Sequence, residues 1–223
     1  MKRLRIIAVW CLLSVLISGT FPASAQQSGA IVMWGRYVIV EQSALEGIVS
    51  ISSSGDHTLA LREDGSVVAW GYSYLGQCDV PEPNEGFVAV AAGMYHSLGL
   101  KEDGSIVAWG DSLAGKCDVP LPNEHFVAIS GGRHHSLALK EDGSVVAWGD
   151  DFYGQSDPPE HNAGFVAISA GNEHNLGLRD DGSITAWGFN DYGQCDVPSP
   201  NEHFAAVSAG TCHSLAITEE GVA

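Results

Sequence analysis

One ten-residue segment recurs four times in this 223-residue chain. It reads REDGSVVAWG at 62–71, KEDGSIVAWG at 101–110, KEDGSVVAWG at 140–149 and RDDGSITAWG at 179–188, so the copies are 39 residues apart. The same spacing relates five histidines and four glycines: His57, His96, His135, His174 and His213, and Gly93, Gly132, Gly171 and Gly210. A fixed period of about 40 residues indicates a repeat architecture in which neighbouring units cover one another's apolar faces.

Each unit has the pattern of a small antiparallel sheet. In FVAVAAGMYHSLGLKEDGSIVAWG (87–110), the segments FVAVAA, HSLGLK and SIVAWG predict three strands. Asp103-Gly104 lies between two alternating apolar runs and predicts a hairpin with a type I′ turn, which has positive φ at both residues. The linker that follows is rich in Gly, Pro and Asn, so it can hold at most one short outer strand. We therefore expect three or four strands in each unit.

Radial repetition of such sheets predicts an all-β fold, a β-propeller of about five blades. One tryptophan per unit is expected to pack between adjacent blades: Trp34, Trp70, Trp109, Trp148 and Trp187. The opening segment SGAIVMWG (28–35) matches 64–71, whereas the chain stops where its last unit needs that strand. We expect the first strand to pair with the last unit and close the ring. The alternative is the front part of a longer propeller that does not close.

The first 25 residues lie outside the repeats and have the pattern of a secretory signal peptide. Lys2, Arg3 and Arg5 precede an apolar run, and Ala23-Ser24-Ala25 provides a cleavage site. We therefore expect an exported domain at 26–223, located in the periplasm or cell envelope or secreted. An uncleaved N-terminal anchor is the alternative, and no other apolar run is long enough to span a membrane.

The charge of the chain argues against two classes of partner. Twenty-seven Asp and Glu residues face ten Lys and Arg residues, so the formal net charge is −17. A chain this acidic repels nucleic acid and anionic lipid. Because the acidic residues are spread over the repeats, we interpret most of them as a solvated surface.

Repetition also argues against a catalytic or metal site. The five histidines could bind a metal only if they converged on one ion, so we expect each to bond a backbone group inside its own blade. Asp64, Asp103, Asp142 and Asp181 recur in turns, where we expect them to serve the local backbone. No common nucleophile, zinc or phosphate-binding motif is present, so we expect no enzyme activity and no cofactor.

The cysteines that follow the predicted cleavage site are interpreted as structural. Cys78, Cys117 and Cys195 share one repeat position, which is Ser156 in the remaining copy. This substitution indicates a small, half-buried residue. A disulfide between Cys195 and Cys212 remains open, and no CxxC pair supports a zinc or redox centre.

The segment GGRHHSLALKEDGSVVAWG (131–149), followed by Gly154-Gln155, resembles the repeats of the regulator of chromosome condensation family. The resemblance implies a β-propeller, most familiar with seven blades, whereas this chain has about five shorter units and Gly-Gln-Cys in place of Gly-Gln-Leu. The family's nuclear member is a nucleotide exchange factor for a small GTPase and binds chromatin, a role that export and acidity exclude here. Secreted bacterial relatives, including a propeller that inhibits β-lactamases by covering the active site, imply protein binding.

The copies differ from one another mainly in two windows. The first follows Trp-Gly at 72–75, 111–114, 150–153 and 189–192, and the second lies at 94–95, 133–134, 172–173 and 211–212. The first window is rich in aromatic and acidic residues, as interface hot spots are in a polar setting. Its candidate partner-binding residues are Tyr72, Tyr74, Asp111, Asp150, Asp151, Phe152, Tyr153, Phe189, Asp191 and Tyr192.

We expect these windows to form one face that binds a protein, one with a basic surface. Three alternatives remain open. The windows could reflect drift at unconstrained loop tips. The chain could be a carbohydrate-binding or carbohydrate-processing propeller of the cell envelope, or a structural envelope module without a specific ligand.

Overall fold

The computed structural model describes residue 40 and residues 42–218. The predicted signal peptide at 1–25, the predicted closing strand at 28–35 and Trp34 lie outside these residues. The strands are β1 (Ile48–Ser54), β2 (His57–Arg62), β3 (Val67–Gly71), β4 (Phe87–Ala92), β5 (His96–Lys101), β6 (Ile106–Gly110), β7 (Phe126–Gly131), β8 (His135–Lys140), β9 (Val145–Gly149), β10 (Phe165–Ala170), β11 (His174–Arg179), β12 (Ile184–Gly188), β13 (Phe204–Ala209) and β14 (Ser214–Thr218). Two short 3₁₀ turns lie at Gln42–Leu45 and Leu113–Gly115.

The strands form five antiparallel sheets, one for each repeat, which we call blades 1 to 5. Blades 1 to 4 have three strands each, in sequence order, and blade 5 has β13 and β14 within the described residues. Each three-stranded blade therefore ends on its tryptophan strand. No helix within the described part of the chain is long and apolar enough to cross a membrane.

An asparagine side chain pairs with each outer strand where a fourth strand would begin. Asn123 Oδ1 accepts the N–H of Ile106 at 2.7 Å, and Asn123 Nδ2 donates to the carbonyl of Ile106 at 2.8 Å. Asn84, Asn162 and Asn201 form the same pair of bonds in their units. The asparagine thus satisfies backbone groups that an edge strand would otherwise expose.

The hairpin turn differs from the predicted type I′. Gly104 has φ +79°, but Asp103 is not among the described residues with positive φ. Gly104 N–H donates to the Lys101 carbonyl, and Lys101 N–H donates to the Ser105 carbonyl, so the link is longer than two residues. A turn followed by a left-handed glycine is the pattern of a glycine bulge. Asp103 Oδ1 accepts the N–H and the hydroxyl of Ser105, which confirms the structural interpretation of the turn aspartates.

The core lies between consecutive blades. Leu98 and Leu100 of blade 2 pack in one cluster with Phe126 and Trp148 of blade 3. Trp109 packs in the same way against Leu59 of blade 1, as predicted for the repeat tryptophans. Backbone bonds also join the blades, since the N–H of Phe126 donates to the carbonyl of Gly104 at 3.0 Å. Blades 1 to 4 are therefore each covered by the next one along the chain.

Candidate interaction face

Both variable windows lie at the same end of the blades, which we call the loop face. The first residue after each outer strand donates its backbone N–H to a residue of the loop between the inner and middle strands. Asp111 N donates to Tyr95 O at 3.0 Å, and Asp150 N donates to His134 O at 2.9 Å. Phe189 and Glu173 form the same bond in blade 4. The structure thus brings together two windows that are separate in the sequence.

Four aromatic rings from two neighbouring units form one continuous group on the loop face, the aromatic cluster. The ring centroids of Phe152 and Tyr153 are 4.8 Å apart, and those of Tyr153 and Phe189 are 4.6 Å apart. Phe189 contacts Tyr192 at 5.7 Å. Phe152 and Tyr192 are 81% and 72% exposed. Water-exposed rings held by neighbouring rings present a large apolar contact area with little side-chain freedom left to lose on binding.

The other candidate rings form a separate pair. Tyr72 and Tyr74 stack at 6.4 Å, and Tyr74 is 83% exposed. In the second window Tyr95 stacks on His134 at 5.4 Å. Leu113, from the window between these groups, is 71% exposed. Exposed apolar side chains therefore occur in the first window of all four complete units.

Three of the acidic candidates have hydrogen-bond or ion-pair partners inside their own unit. Asp111 Oδ2 lies 2.7 Å from Nζ of Lys116, a lysine with no exposed surface. Asp150 Oδ2 accepts a hydrogen bond from the Gln155 amide at 2.8 Å. Asp151 Oδ1 accepts the N–H of Ser156. Lys116 and Gln155 are buried donors that must be paired, and Asp111 and Asp150 pair with them, whereas Asp151 is exposed and remains a candidate. Asp191 is exposed and remains a candidate.

Lys116 occupies a position that is glutamine in the other units. Gln77, Gln155 and Gln194 each accept a backbone N–H from the residue two positions earlier. Lys116 cannot accept, and its ammonium instead donates to the Leu113 carbonyl and to Asp111. The loop at 111–116 is therefore stabilised by an ion pair, whereas the equivalent loops are stabilised by hydrogen bonds of the glutamine side chain.

The repeat histidines join consecutive blades, so the expectation of backbone bonds inside one blade is wrong. His96 Nε2 lies 2.8 Å from Ser136 Oγ, 40 residues later in the chain. Ser136 Oγ donates to the Lys116 carbonyl, so its oxygen accepts the proton of His96 Nε2. Equivalent contacts join His57 to Ser97, His135 to Asn175 and His174 to Ser214.

Burial keeps these histidines neutral. His57, His96, His135 and His174 are at most 2% exposed. Removal from water lowers the pKa of His96 to about 3 and the pKa values of His57 and His135 to about 4. Among the described residues no group of three or more His, Cys, Asp or Glu side chains could hold a metal ion. The histidines act chemically as buried hydrogen-bond donors.

In two units one backbone carbonyl accepts two side chains, an arrangement that was not predicted. The Lys116 carbonyl accepts both Ser136 Oγ and Trp148 Nε1 at 2.9 Å. The Gln77 carbonyl accepts Ser97 Oγ and Trp109 Nε1 in the same way. The available signal was the recurrence of a small polar residue after each histidine: Thr58, Ser97, Ser136, Asn175 and Ser214.

The repeat cysteines are structural rather than reactive. Cys117 Sγ lies 3.3 Å from the Asp111 carbonyl, and Ser156 Oγ donates to the equivalent Asp150 carbonyl. This shared geometry confirms that serine can replace the cysteine. Burial raises the pKa of Cys117 and of Cys195 to about 11, so the nucleophilic thiolate is disfavoured. Cys195 and Cys212 are both free thiols in this structure.

A cavity of about 170 Å³ lies among the ends of the inner strands. Its walls include Gly132, Gly171 and Gly210, with Asn172 and Thr211 from the second window. A Cβ added at Gly132 would lie 2.9 Å from the Gly171 carbonyl oxygen, so glycine permits the close approach of neighbouring blades. No lysine, arginine, histidine, aspartate or glutamate side chain of the described residues lines this cavity.

Comparison with known proteins identifies the repeat. Four segments, 48–77, 87–115, 126–155 and 165–194, match the regulator of chromosome condensation (RCC1) repeat, and together they cover more than half of the chain. No match was found among the curated proteins.

Similar solved structures include Prp20p of Saccharomyces cerevisiae, at 19% identity and TM-score 0.68, covering 85% of this chain and 58% of that one. A second is yeast RCC1 (Prp20) bound to Kap60, at 24% identity and TM-score 0.65, covering 78% and 54%. A third is the ectodomain of the Physcomitrella patens receptor kinase CR4, at 25% identity and TM-score 0.62, covering 78% and 49%. The chain thus spans about half the length of these structures, and the likeness shows a propeller fold.

Proposed function

The chain belongs to the regulator of chromosome condensation (RCC1) repeat family, and on that basis we propose that it is an exported, non-enzymatic β-propeller that acts as a protein-interaction module. Export is supported by the signal-peptide pattern of residues 1–25. A binding role agrees with the structures of the yeast relative, which concern its binding to Gsp1p and histones and its complex with Kap60. Those partners are partners of the yeast protein, and the fold alone does not identify the partner of this chain.

The aromatic cluster carries the proposal. Its rings come from windows that vary between units: Phe152, Tyr153, Phe189 and Tyr192. The strand segments that precede these windows, 140–149 and 179–188, repeat instead. In repeat proteins the repeated positions maintain the fold and the variable positions form the binding surface. Hot spots of protein interfaces are enriched in aromatic side chains surrounded by polar groups, which is the composition of this window.

The proposal of a non-enzymatic role is supported by the structural hydrogen bonds of the titratable groups. The turn aspartates accept hydrogen bonds from the serines two residues later, as Asp142 does from Ser144. The buried histidines bond the next blade, and the raised pKa values of Cys117 and Cys195 disfavour the thiolate. Each of these groups has a structural partner that recurs with the repeat.

A comparative capture experiment tests the proposal. The chain would be immobilised and exposed to envelope and secreted fractions of the source organism, beside a variant with Tyr74, Phe152, Tyr153 and Tyr192 changed to Ala. The control variant is Leu121→Ala, because Leu121 is 89% exposed and lies two residues before Asn123, which binds the opposite end of β6.

The proposal predicts a protein that is retained by the wild type and by the Leu121 variant but lost with the four-residue variant. Equal retention by all three chains would contradict it. Unfolding midpoints of the three proteins should agree, because the four rings are at least 41% exposed and contribute little to the core.

A carbohydrate ligand is the second candidate, favoured by the exposure of the Phe152 and Tyr192 rings, which could stack on sugar rings. Stacking on a neutral sugar does not depend on charge, so binding to polysaccharide would survive high salt. Retention on insoluble polysaccharide at high salt, lost in the four-residue variant, would favour this candidate over a protein partner.

A further inference from the structure

The inner strand of each blade begins with a β-bulge that leaves one apolar residue in water. In blade 2 the pairing register shifts between Phe87 and Ala89, so Val88 is paired with no residue of β5. Phe87 packs with Leu61 of blade 1, whereas Ala89 packs in the cluster shared with blade 3. Val88 is in neither cluster and is 47% exposed. Bulges commonly redirect a side chain in this way.

The same position is apolar and exposed in three further units. Val49, Val127 and Val166 are 38%, 49% and 40% exposed, and each lies at the same shift of register in its inner strand. The inner strands of consecutive blades contact one another, so these residues and Val88, which we call the valine group, lie at one end of adjoining strands. An apolar residue that recurs without entering the core indicates an interaction surface.

The valine group lies at the end of the blades opposite the loop face, which we call the turn face. The N–H of Phe126 donates to the carbonyl of Gly104, in the hairpin turn of blade 2, at 3.0 Å. The carbonyl of His125 accepts the N–H of Glu141, in the hairpin of blade 3, at 3.0 Å. Val127 therefore follows a segment that is bonded to the hairpins of two blades, and the same bonds recur in blades 2 and 4.

These hairpins make the turn face acidic. Each hairpin has two consecutive exposed carboxylates, and an exposed glutamate lies three residues before three of the valines: Glu63 and Asp64, Glu102 and Asp103, Glu141 and Asp142, Asp180 and Asp181, with Glu46, Glu85 and Glu124. The surface that surrounds the valine group therefore attracts cations.

The basic residues of the turn face are occupied by contacts within their own units. Lys101 Nζ lies 3.6 Å from the ring centroid of Phe87 and donates to the Pro83 carbonyl at 3.2 Å. The guanidinium of Arg179 lies 4.2 Å from the ring centroid of Phe165 in the same way. One such cation per hairpin does not balance the carboxylates beside it.

Charge complementarity determines which partner fits this surface. A second copy of the chain would bring two acidic turn faces together, and like charges oppose such a contact. A neutral apolar partner would remove carboxylates from water without pairing them. A segment with aliphatic side chains flanked by lysine or arginine covers the valines and brings its cations to the carboxylates.

We propose that the turn face is a second interaction surface, which binds a cationic amphipathic protein segment through the valine group and the hairpin carboxylates. The surface lies at the opposite end of the blades from the aromatic cluster. Binding at the turn face does not depend on what the loop face binds, so either proposal can fail without the other.

Binding of a model segment tests the proposal. The probe is a labelled synthetic helix with leucine on one face and lysine on the other, and fluorescence anisotropy measures its affinity for the chain. The test variant combines Val88→Thr, Val127→Thr and Val166→Thr, which keep the β-branched shape but replace a methyl group by a hydroxyl. The matched loop-face control combines Phe152→Ala and Tyr192→Ala. A helix with glutamate in place of lysine is the control for charge.

The proposal predicts at least tenfold weaker binding of the leucine–lysine helix by the three-threonine variant, wild-type affinity in the loop-face control, and no binding of the leucine–glutamate helix. Equal affinity of the wild type and the three-threonine variant would overturn it, as would a failure of the leucine–lysine helix to bind the wild type. Weaker binding in the loop-face control alone would place the helix on the aromatic cluster and would also overturn it.

Two further measurements complete the test. Should the three-threonine variant misfold, Glu85→Gln with Glu124→Gln removes the carboxylates three residues before Val88 and Val127. We expect at least threefold weaker binding, with a weaker dependence on salt, and Asp191→Asn on the loop face as the control should bind like the wild type. Equal affinity of the glutamine variant and the wild type would overturn the proposal. Sedimentation of the free chain provides the other measurement, because a dimer that is lost in the three-threonine variant would assign the surface to a second copy instead.

Discussion

The imidazole Nε2 of His96 lies 2.8 Å from the hydroxyl oxygen of Ser136, which is in the next blade. Ser136 Oγ in turn donates to the Lys116 carbonyl, so three residues from two units form one buried hydrogen-bond network. The equivalent histidine contacts recur between the other blades, so hydrogen bonds as well as apolar packing join each unit to the next. Buried networks of this kind stabilise a fold only when every donor has an acceptor.

We expect Ser136→Ala to lower the free energy of unfolding by about 1–3 kcal/mol, the usual cost of a buried donor left without a partner. The stranded donor is His96 Nε2–H. Urea unfolding measures the change. As a control, Ser112→Ala removes an exposed hydroxyl that makes no capping hydrogen bond, so its loss should be smaller. Equal losses would contradict the inter-blade role.

Replacing Asn175 by serine is expected to stabilise the fold. Asn175 Nδ2 donates to the Gln155 carbonyl, and Trp187 Nε1 is buried without a partner, although Trp109 and Trp148 bond the equivalent carbonyls. We expect Asn175→Ser to let the Gln155 carbonyl accept both side chains, as the equivalent carbonyls do in the units with serine, and to raise the free energy of unfolding by about 1 kcal/mol. Thermal unfolding measures it, and a lower midpoint would contradict the explanation.

The buried histidines predict a loss of stability in mild acid. Burial lowers the pKa values of His57 and His135 to about 4 and that of His96 to about 3, whereas an unfolded histidine titrates near 6.5. Below pH 6.5 the unfolded chain therefore binds more protons than the folded one, and stability falls with falling pH.

Each such histidine contributes up to about 1.4 kcal/mol per pH unit between its folded pKa and 6.5. Urea unfolding at pH 7.5, 6.0 and 5.0 measures the slope. His135→Gln should reduce the slope by about one histidine's contribution. A stability that stays constant from pH 7.5 to pH 5 would contradict the burial of neutral imidazoles.

The pair formed by Lys116 and Asp111 predicts unequal effects of two substitutions. Asp111→Ala leaves a buried ammonium without its carboxylate, and we expect it to cost about 3–5 kcal/mol. Lys116→Gln recreates the arrangement of Gln155 and Asp150 and should cost much less. Unfolding free energies of the two variants decide this, and a mild effect of Asp111→Ala would return that residue to the candidate contacts.

The fold was largely predictable from the sequence because its main signal, the 39-residue period, is local. The three strands of each unit, the role of Asp103 in its turn and the packing of Trp109 between blades follow from the pattern of one unit. The turn type did not follow, because the backbone bonds of Lys101 lengthen the link around Gly104.

The contacts between units were less predictable, since they depend on how one blade lies on the next. Histidine recurs in every unit, but its partner Ser136 is identified only when two blades are packed together. The aromatic windows were recognised from their variation, yet the sequence did not show that Phe189 contacts Tyr153 while Tyr74 lies in a separate pair. The internal role of Asp111 depends on Lys116, which breaks the repeat.

The central claim is that the aromatic cluster forms the contact with a partner protein. Its most direct test is the affinity of a captured, purified partner for the wild type and for the Phe152→Ala, Tyr192→Ala variant, measured by calorimetric titration. We predict at least a tenfold weaker affinity, about 1.4 kcal/mol, with an unchanged unfolding midpoint and with wild-type affinity in the Leu121→Ala control. Equal affinity of the cluster variant and the wild type would contradict the claim.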